Sequence, residues 1–140
     1  MTDPASPAER LGAAYRVWSE SKGATSDHFL ALIDDKVEMR SVLDPTFPDD
    51  LAADRKSKEE TRDYFAIIAR DWEMIDYPQE RIVADGDTLV WIGRCHWRHR
   101  GNGQEIDSPK VDIWTFRNGK AVRFLEMFDS LAFARITRLI

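Results

Sequence analysis

Apolar residues recur at helical spacing through the first half of this chain and at every second position through much of the rest. Leu11, Ala14, Tyr15 and Trp18 fall on one face of a 3.6-residue period, an amphipathic stripe. Ser6 stands ahead of it as a cap, with Pro7 at the first helical position, Glu9 completing a capping box and Gly23 marking the end. A short second helix is predicted from Ser26 or Asp27 through Ile33, then a strand over residues 37–42. Pro, Asp and Ala crowd residues 43–55, which read as a loop able to cover a pocket mouth. A second capping box, Ser57 with Glu60, opens a long helix carrying Tyr64, Phe65, Ile68 and Trp72. Beyond it the period changes to two. Residues 81–84 and 88–99 flank Asp85-Gly86, and residues 105–116 and 121–129 flank Asn118-Gly119, both strong hairpin signals; Gly101-Asn102-Gly103 joins the middle pair. Helices first and an antiparallel meander afterwards predict an α+β domain. Residues 1–5 are expected to be disordered, and residues 131–140 form an apolar C-terminal tail.

Strand parity sorts the second half into faces. Leu89, Trp91, Gly93, Cys95, Trp97 and His99 share one side of the pleat, with Arg94, His96 and Arg98 on the other, so the odd set faces inward. In the following strand Val111 and Ile113 oppose Lys110, Asp112, Trp114 and Phe116. Two apolar faces imply that one lines a pocket while the other meets a second subunit, and a homodimer is expected. A bulge at the Asn118-Gly119 turn sets Asp112 across from Phe124 and Lys110 across from Glu126; a tight two-residue turn shifts that pairing by one. On the inward pattern Lys110, Asp112 and Glu126 gather among Trp91, Trp97, Trp114, Phe124 and Phe128. Ionisable groups held among apolar walls mark a candidate site.

Composition narrows what such a site serves. At 140 residues the chain is expected to form one domain over its whole length. A formal charge of -5 and a pI near 5.2 leave no basic stripe, which argues against nucleic acid or an acidic membrane surface and leaves small molecules or proteins as partners. Cys95 is the single cysteine, so no internal disulfide forms. The start MTDPASPAER lacks a basic end followed by an apolar run, and no stretch of roughly eighteen apolar residues occurs, so a soluble, cytoplasmic protein is expected. Nothing resembles a phosphate loop, a dinucleotide fingerprint or a serine-nucleophile elbow. His96 and His99 lie three apart on a strand and so point to opposite faces; neither metal nor cofactor is assigned.

The candidate chemistry rests on a few side chains, each with a plainer alternative. Asp112 lies in a run with Val111, Ile113, Trp114 and Phe116, where an unpartnered carboxylate is strongly disfavoured. With a raised pKa it serves as a donor to an oxyanion, or as a general acid or base; paired with Lys110 or an arginine it is a structural ion pair. Glu126, in FLEMFD, faces the same choice: two carboxylates in one dry cavity become an acid and a base, unless Lys110 merely neutralises one. Tyr15 needs a partner for its hydroxyl, either a substrate oxygen or a core acceptor. His99 is placed to shuttle protons near neutral pH or to sit exposed at a strand end. Trp18, Trp91, Trp97 and Trp114, with Phe124, Phe128 and Lys110, are candidate contacts to a flat apolar ligand, and at this spacing equally core. Cys95 lacks a clear activating partner.

The segment KVDIWTFRNGKAVRFLEMFD, residues 110–129, resembles the closing hairpin of the nuclear-transport-factor-2-like superfamily in its SnoaL-like and ketosteroid-isomerase-like branch. ALIDDKVEMRS, residues 31–41, resembles its helix-to-first-strand passage. The resemblance implies a cone of curved antiparallel sheet wrapped around three helices, usually a homodimer, with a deep pocket at the open end. By similarity to ketosteroid isomerase, VDIW puts Asp112 on the aspartic acid that donates to the oxyanion, and AAYRVW puts Tyr15 near the partner tyrosine. Polyketide cyclases of the branch also rely on an aspartate on this strand. The isomerase's general base falls near Arg40 in VEMRS, which leaves Asp44 or Glu126 for that role. Limonene epoxide hydrolases carry an acidic residue in a segment similar to FLEMFD, matching Glu126; their arginine and aspartate, two apart on an inner strand, are not evident here. The resemblance thus implies cofactor-free isomerisation, cyclisation or dehydration of a small hydrophobic, carbonyl-containing or polycyclic molecule. Asp112 would exchange a proton with an enolate, Tyr15 would assist, and Glu126 or His99 would supply the complementary acid or base. The alternatives are a non-catalytic ligand-binding or dimeric assembly module and an epoxide-hydrolase-like activity.

Overall fold

In the computed structural model, which describes residues 5–138, both capping residues act at the spacing the sequence predicts. The Ser6 hydroxyl accepts from the Glu9 N–H at 3.1 Å and opens α1, Pro7–Glu20, whose buried face is Leu11, Ala14, Tyr15 and Trp18. Helix α2, Asp27–Leu32, runs straight into β1, Ile33–Ser41, so the first strand starts four residues earlier than the composition of residues 37–42 suggests. The following loop holds a single 3₁₀ turn, Asp50–Ala52, and is tied back to β1 by paired backbone hydrogen bonds between Met39 and Arg55 at 2.7 and 2.9 Å. Ser57 then accepts from the Glu60 N–H at 3.0 Å and opens α3, Lys58–Asp71. Each such cap contributes about 1 kcal/mol.

Five more strands follow: β2 (Trp72–Asp76), β3 (Gln79–Asp85), β4 (Thr88–His99), β5 (Glu105–Arg117) and β6 (Lys120–Met127). They form a curved, unclosed six-stranded sheet in the order β1-β6-β5-β4-β2, with β3 also on β4. The meander from β3 to β6 is antiparallel, as its hairpin turns require, whereas β1 pairs with β6 in parallel. That one pair departs from an all-antiparallel sheet because its connection spans most of the chain, and parallel neighbours need a long crossover. Helices α1, α2 and α3 cover the concave face, giving the α+β class expected.

Strand β2 is a correction. The helical stripe extends one turn past Ile68 to Trp72, yet α3 ends at Asp71 and Trp72 pairs with His99 across β2 and β4. Trp72 and Met74 are buried and Glu73 exposed, a period of two compressed into too few residues to compete with the preceding helical pattern. The C-terminal segment is also defined: Asp129 accepts from the Ala132 N–H at 3.0 Å and caps α4, Ser130–Ile136, which buries Phe133, Ala134 and Ile136. Expectations for residues 1–4 and 139–140 lie outside the described residues.

Register is the second correction. Asn118 and Gly119 have φ of 52° and 78°, a two-residue turn of the mirror-image kind that keeps Arg117 opposite Lys120. The extra residue sits further along, at Val122, because the pairing slips between Phe116–Ala121 and Thr115–Arg123. Ala121 therefore stays inward, the parity of β6 reverses, and Phe124 and Glu126 also face in. Asp112 lies opposite Glu126 and Trp114 opposite Phe124, in place of the Asp112–Phe124 and Lys110–Glu126 pairs.

One break in the sheet shapes the interior. Strands β2 and β3 pair with successive halves of one edge of β4, and Tyr77-Pro78 bridges them. The Arg94 N–H donates to the Pro78 carbonyl at 3.0 Å. A Cβ at Gly93 would stand 2.3 Å from that carbonyl oxygen, so only glycine lets the two segments approach this closely. Proline also holds the residue before it in extended backbone, which fixes Tyr77 at the break.

Candidate active site

Strand β5 projects Ser108, Lys110, Asp112, Trp114 and Phe116 inward without interruption. Of these, Asp112 is 2% exposed and Lys110 6%. Because the bulge at Val122 sets Glu126 directly opposite Asp112, two carboxyl groups meet on one face with the Lys110 ammonium between them. Lys110 Nζ donates to Asp112 Oδ1 and reaches Glu126 Oε2 at 3.4 Å.

Two tyrosines complete the network from the helical side. Tyr15 of α1 donates to Asp112 Oδ2 at 2.5 Å and accepts from Trp114 Nε1–H at 3.0 Å. Tyr64 of α3 donates to Glu126 Oε2, and its ring carries the buried Arg55 guanidinium at 5.2 Å. The result is a chain from Trp114 through Tyr15, Asp112, Lys110 and Glu126 to Tyr64, in which each polar side chain has a partner.

These groups stand at the wall of an apolar cavity of about 90 Å³. Trp18, Phe29, Phe65 and Trp97 enclose one side, and Val37, Met39 and Leu51 come from β1 and the loop after it. Phe128 and Phe133 approach from the C-terminal end. The loop at residues 43–55 thus contributes to the enclosure through Leu51, as its position suggested.

Electrostatics follow from burial and from a charge count of one ammonium to two carboxyl groups. Burial pushes the Asp112 carboxyl above its ordinary value; Lys110 pulls it back, and the Glu126 charge raises it again. Burial works against the Lys110 ammonium, yet Asp112 and Glu126 together hold its pKa above the usual lysine value. The Tyr15 phenol is raised well above its ordinary range, first by burial and then by Asp112; Tyr64 is raised by burial and then by Glu126. Both phenols are therefore donors at neutral pH. Burial also pushes the Cys95 thiol up to about 11, so this cavity-lining thiol is protonated at neutral pH.

Of the residues singled out in the sequence, Asp112, Tyr15, Glu126, Lys110, Trp18, Trp97, Trp114, Phe124 and Phe128 all line the cavity. Trp91 does not. It is fully buried behind Tyr15, stacked at 4.5 Å between centroids, with its Nε1–H donating to Gln79 Oε1. His99 is also elsewhere: its ring packs edge-on against Trp72 and its Nδ1 accepts from the Gly101 N–H at the strand end. Inward parity put both on the correct face of β4 but says nothing of depth along it. Tyr64 and Tyr77 were missed as site residues, although Tyr64 sits in the apolar stripe of its helix and a buried phenol there needs an acceptor, the same signal that marked Tyr15. Among the described residues no group of three or more His, Cys, Asp or Glu side chains is arranged to hold a metal ion. No helix among them is long and apolar enough to cross a membrane.

Comparison with known proteins agrees with this architecture. The SnoaL-like domain matches residues 12–124. An NTF2-like protein of unknown function from Burkholderia pseudomallei superposes with a TM-score of 0.80 at 20% identity, over 94% of this chain and 98% of that one. TerC, co-crystallised with polyporic acid, superposes with a TM-score of 0.76 at 20% identity, over 95% and 99% of the two chains. A protein of ketosteroid isomerase-like fold from Catenulispora acidiphila, in complex with trimethylamine, gives 0.67 at 10% identity, over 85% and 84%. The curated proteins contain no match.

Proposed function

The chain belongs to the SnoaL-like domain family, and from that premise we propose that its cavity binds a small hydrophobic carbonyl compound and moves a proton on it without a cofactor. The observation that carries this reading is the Asp112 carboxyl, buried at an apolar cavity and bound by both Tyr15 and Lys110. A carboxyl raised in pKa by its surroundings donates to a carbonyl oxygen as negative charge develops there. Glu126, on the neighbouring strand, takes the proton from the carbon next to that carbonyl and returns it elsewhere. Lys110 holds the two carboxyl groups in register, and Tyr15 orients Asp112 while drawing on the Trp114 N–H. Two proteins of this fold were crystallised with small organic molecules, polyporic acid and trimethylamine, which supports a ligand role for the cavity.

Size favours the smaller members of the substrate class. The hollow of about 90 Å³ is below the ~150 Å³ of an apolar cavity that accepts benzene. A single-ring or short-chain carbonyl compound therefore fits with modest adjustment, and a polycyclic one requires the walls to move. Hydrogen–deuterium exchange beside the carbonyl of cyclohexanone in heavy water, followed by NMR, tests the proposal. The wild-type chain should accelerate exchange, and Asp112→Asn should lower that acceleration about a hundredfold or more. Equal rates with both proteins exclude the Asp112 assignment; bound ketone without exchange points to a binding module.

One observation favours a second reading, hydration of a small epoxide. Lys110 and Asp112 stand two apart on the inner face of β5 with Glu126 opposite Asp112, a spacing similar to that of limonene epoxide hydrolases with lysine in place of arginine. In that reaction one carboxyl protonates the epoxide oxygen while the other activates water. Incorporation of labelled oxygen from water into the diol of cyclohexene oxide distinguishes it from ketone exchange.

The outer face of the sheet bears half-buried Val90, Ile92, Val111 and Ile113 beside exposed Met127. This apolar face is proposed to join two copies of the chain.

A further inference from the structure

Three tyrosines are buried around the cavity, and two of them commit their hydroxyls to carboxyl groups: Tyr15 to Asp112 and Tyr64 to Glu126. Tyr77 does not. Its side chain is only 6% exposed and lines the same cavity, yet its hydroxyl has no hydrogen-bond partner among the described residues, where its backbone N–H donates to Asp76 Oδ1. Among the described residues Arg10 Nε is the fully buried side-chain polar atom without a partner, and Tyr77, besides lining the cavity, borders a second groove with Gly12, Arg16 and Gln79.

Burial first, and then the carboxyl groups of Asp112 and Glu126, which line the same hollow, hold the Tyr77 phenol above the ordinary range, so it is a donor at neutral pH. Its ring is held on several sides: stacked on Trp91 at 5.2 Å, and edge-on to Trp97 at 6.2 Å and Trp18 at 6.5 Å. The proline after it and the close approach of Pro78 to Gly93 fix its backbone. A firmly held donor without an acceptor in the described protein, on a side chain that lines the apolar cavity, is a position where a ligand oxygen relieves an unmet hydrogen bond.

We propose that the Tyr77 hydroxyl is a ligand contact that donates a hydrogen bond to an oxygen of the bound molecule, selecting oxygen-bearing compounds over hydrocarbons of the same shape. This rests on the cavity being a ligand site, as proposed above, and does not depend on turnover. Preorganisation by the surrounding rings means little freedom is lost when the bond forms.

Cyclohexanone and methylenecyclohexane share a shape and differ in whether the exocyclic atom is an acceptor oxygen or a carbon. Their binding to the full chain at millimolar concentration is read from the indole N–H resonances. Tyr77→Phe should weaken cyclohexanone binding about three- to tenfold and leave methylenecyclohexane unchanged, the range expected for one neutral hydrogen bond. The variant should unfold at the same temperature as wild type or higher, because no bond within the protein is lost. If both probes bind and Tyr77→Phe alters neither or weakens both alike, the Tyr77 assignment falls while the ligand cavity stands. A lowered unfolding temperature shows that the hydroxyl has a partner in the protein and likewise overturns the assignment. If neither probe binds wild type, the ligand-site reading falls and takes this one with it.

Discussion

Replacing Lys110 with methionine removes the single ammonium between two buried carboxyl groups while keeping the length and apolar stem of the side chain. Lys110 is 6% exposed, contacts Asp112 directly and reaches Glu126 at 3.4 Å. At that distance and an effective dielectric near 20, one pairing amounts to about 5 kcal/mol, part of which is offset by returning the ammonium's desolvation penalty. A net loss of roughly 3–5 kcal/mol is expected at pH 7, the range for breaking a buried pair from one side. The pH dependence has a definite sign. Asp112 already has a folded-state pKa above its unfolded value, so the folded chain holds the extra proton, and stability from this group declines as pH rises through the interval between the two. Losing Lys110 removes the influence that lowers Asp112 and widens that interval upward. The destabilisation should therefore be largest at pH 7 and shrink toward pH 4 as Asp112 takes up its proton. Urea unfolding of both proteins at the two pH values measures it. A loss under about 1 kcal/mol at pH 7, or the same loss at both, would refute the coupled triad.

Other substitutions perturb separate parts of the molecule. Tyr15→Phe strips Asp112 of one donor and leaves the buried Trp114 N–H without its acceptor, so urea unfolding should show a loss of roughly 1–3 kcal/mol. Gly93→Ala forces a Cβ to within 2.3 Å of the Pro78 carbonyl oxygen and should destabilise by about 1–3 kcal/mol or more; an unchanged midpoint would show that β2 and β3 can separate freely. Light scattering at micromolar concentration should find a dimer that Ile113→Glu converts to a folded monomer, whereas a wild-type monomer contradicts the outer-face assignment.

What could be read from the residues, and what could not, has physical causes. The helix starts were legible because Ser6 and Ser57 satisfy orphan N–H groups at a spacing few other structures demand. The inward alternation of β4 and β5 was legible because a half-buried strand sorts polar from apolar at every step. Trp72 was misplaced since it continues the stripe of α3 one turn beyond Ile68, and the short β2 after it offers no competing signal until its partner on β4 is known. The pairing of Asp112 depended on where one extra residue enters β6. A turn of Asn118-Gly119 and a bulge at Val122 are compatible with several sequences, so only the three-dimensional ladder reveals that the carboxyl groups face each other. Tyr77 carries no local signature at all, since its burial comes from a break between two strands.

Titration of the Asp112 side-chain carboxyl by ¹³C NMR, with its resonance assigned by loss in Asp112→Asn, bears most directly on whether this cavity handles protons. A midpoint above the ordinary aspartate value of about 3.9 is expected, reflecting burial and the facing Glu126. A midpoint at or below that value would mean that Lys110 holds Asp112 as a plain structural ion pair, and the proposed acid would be absent.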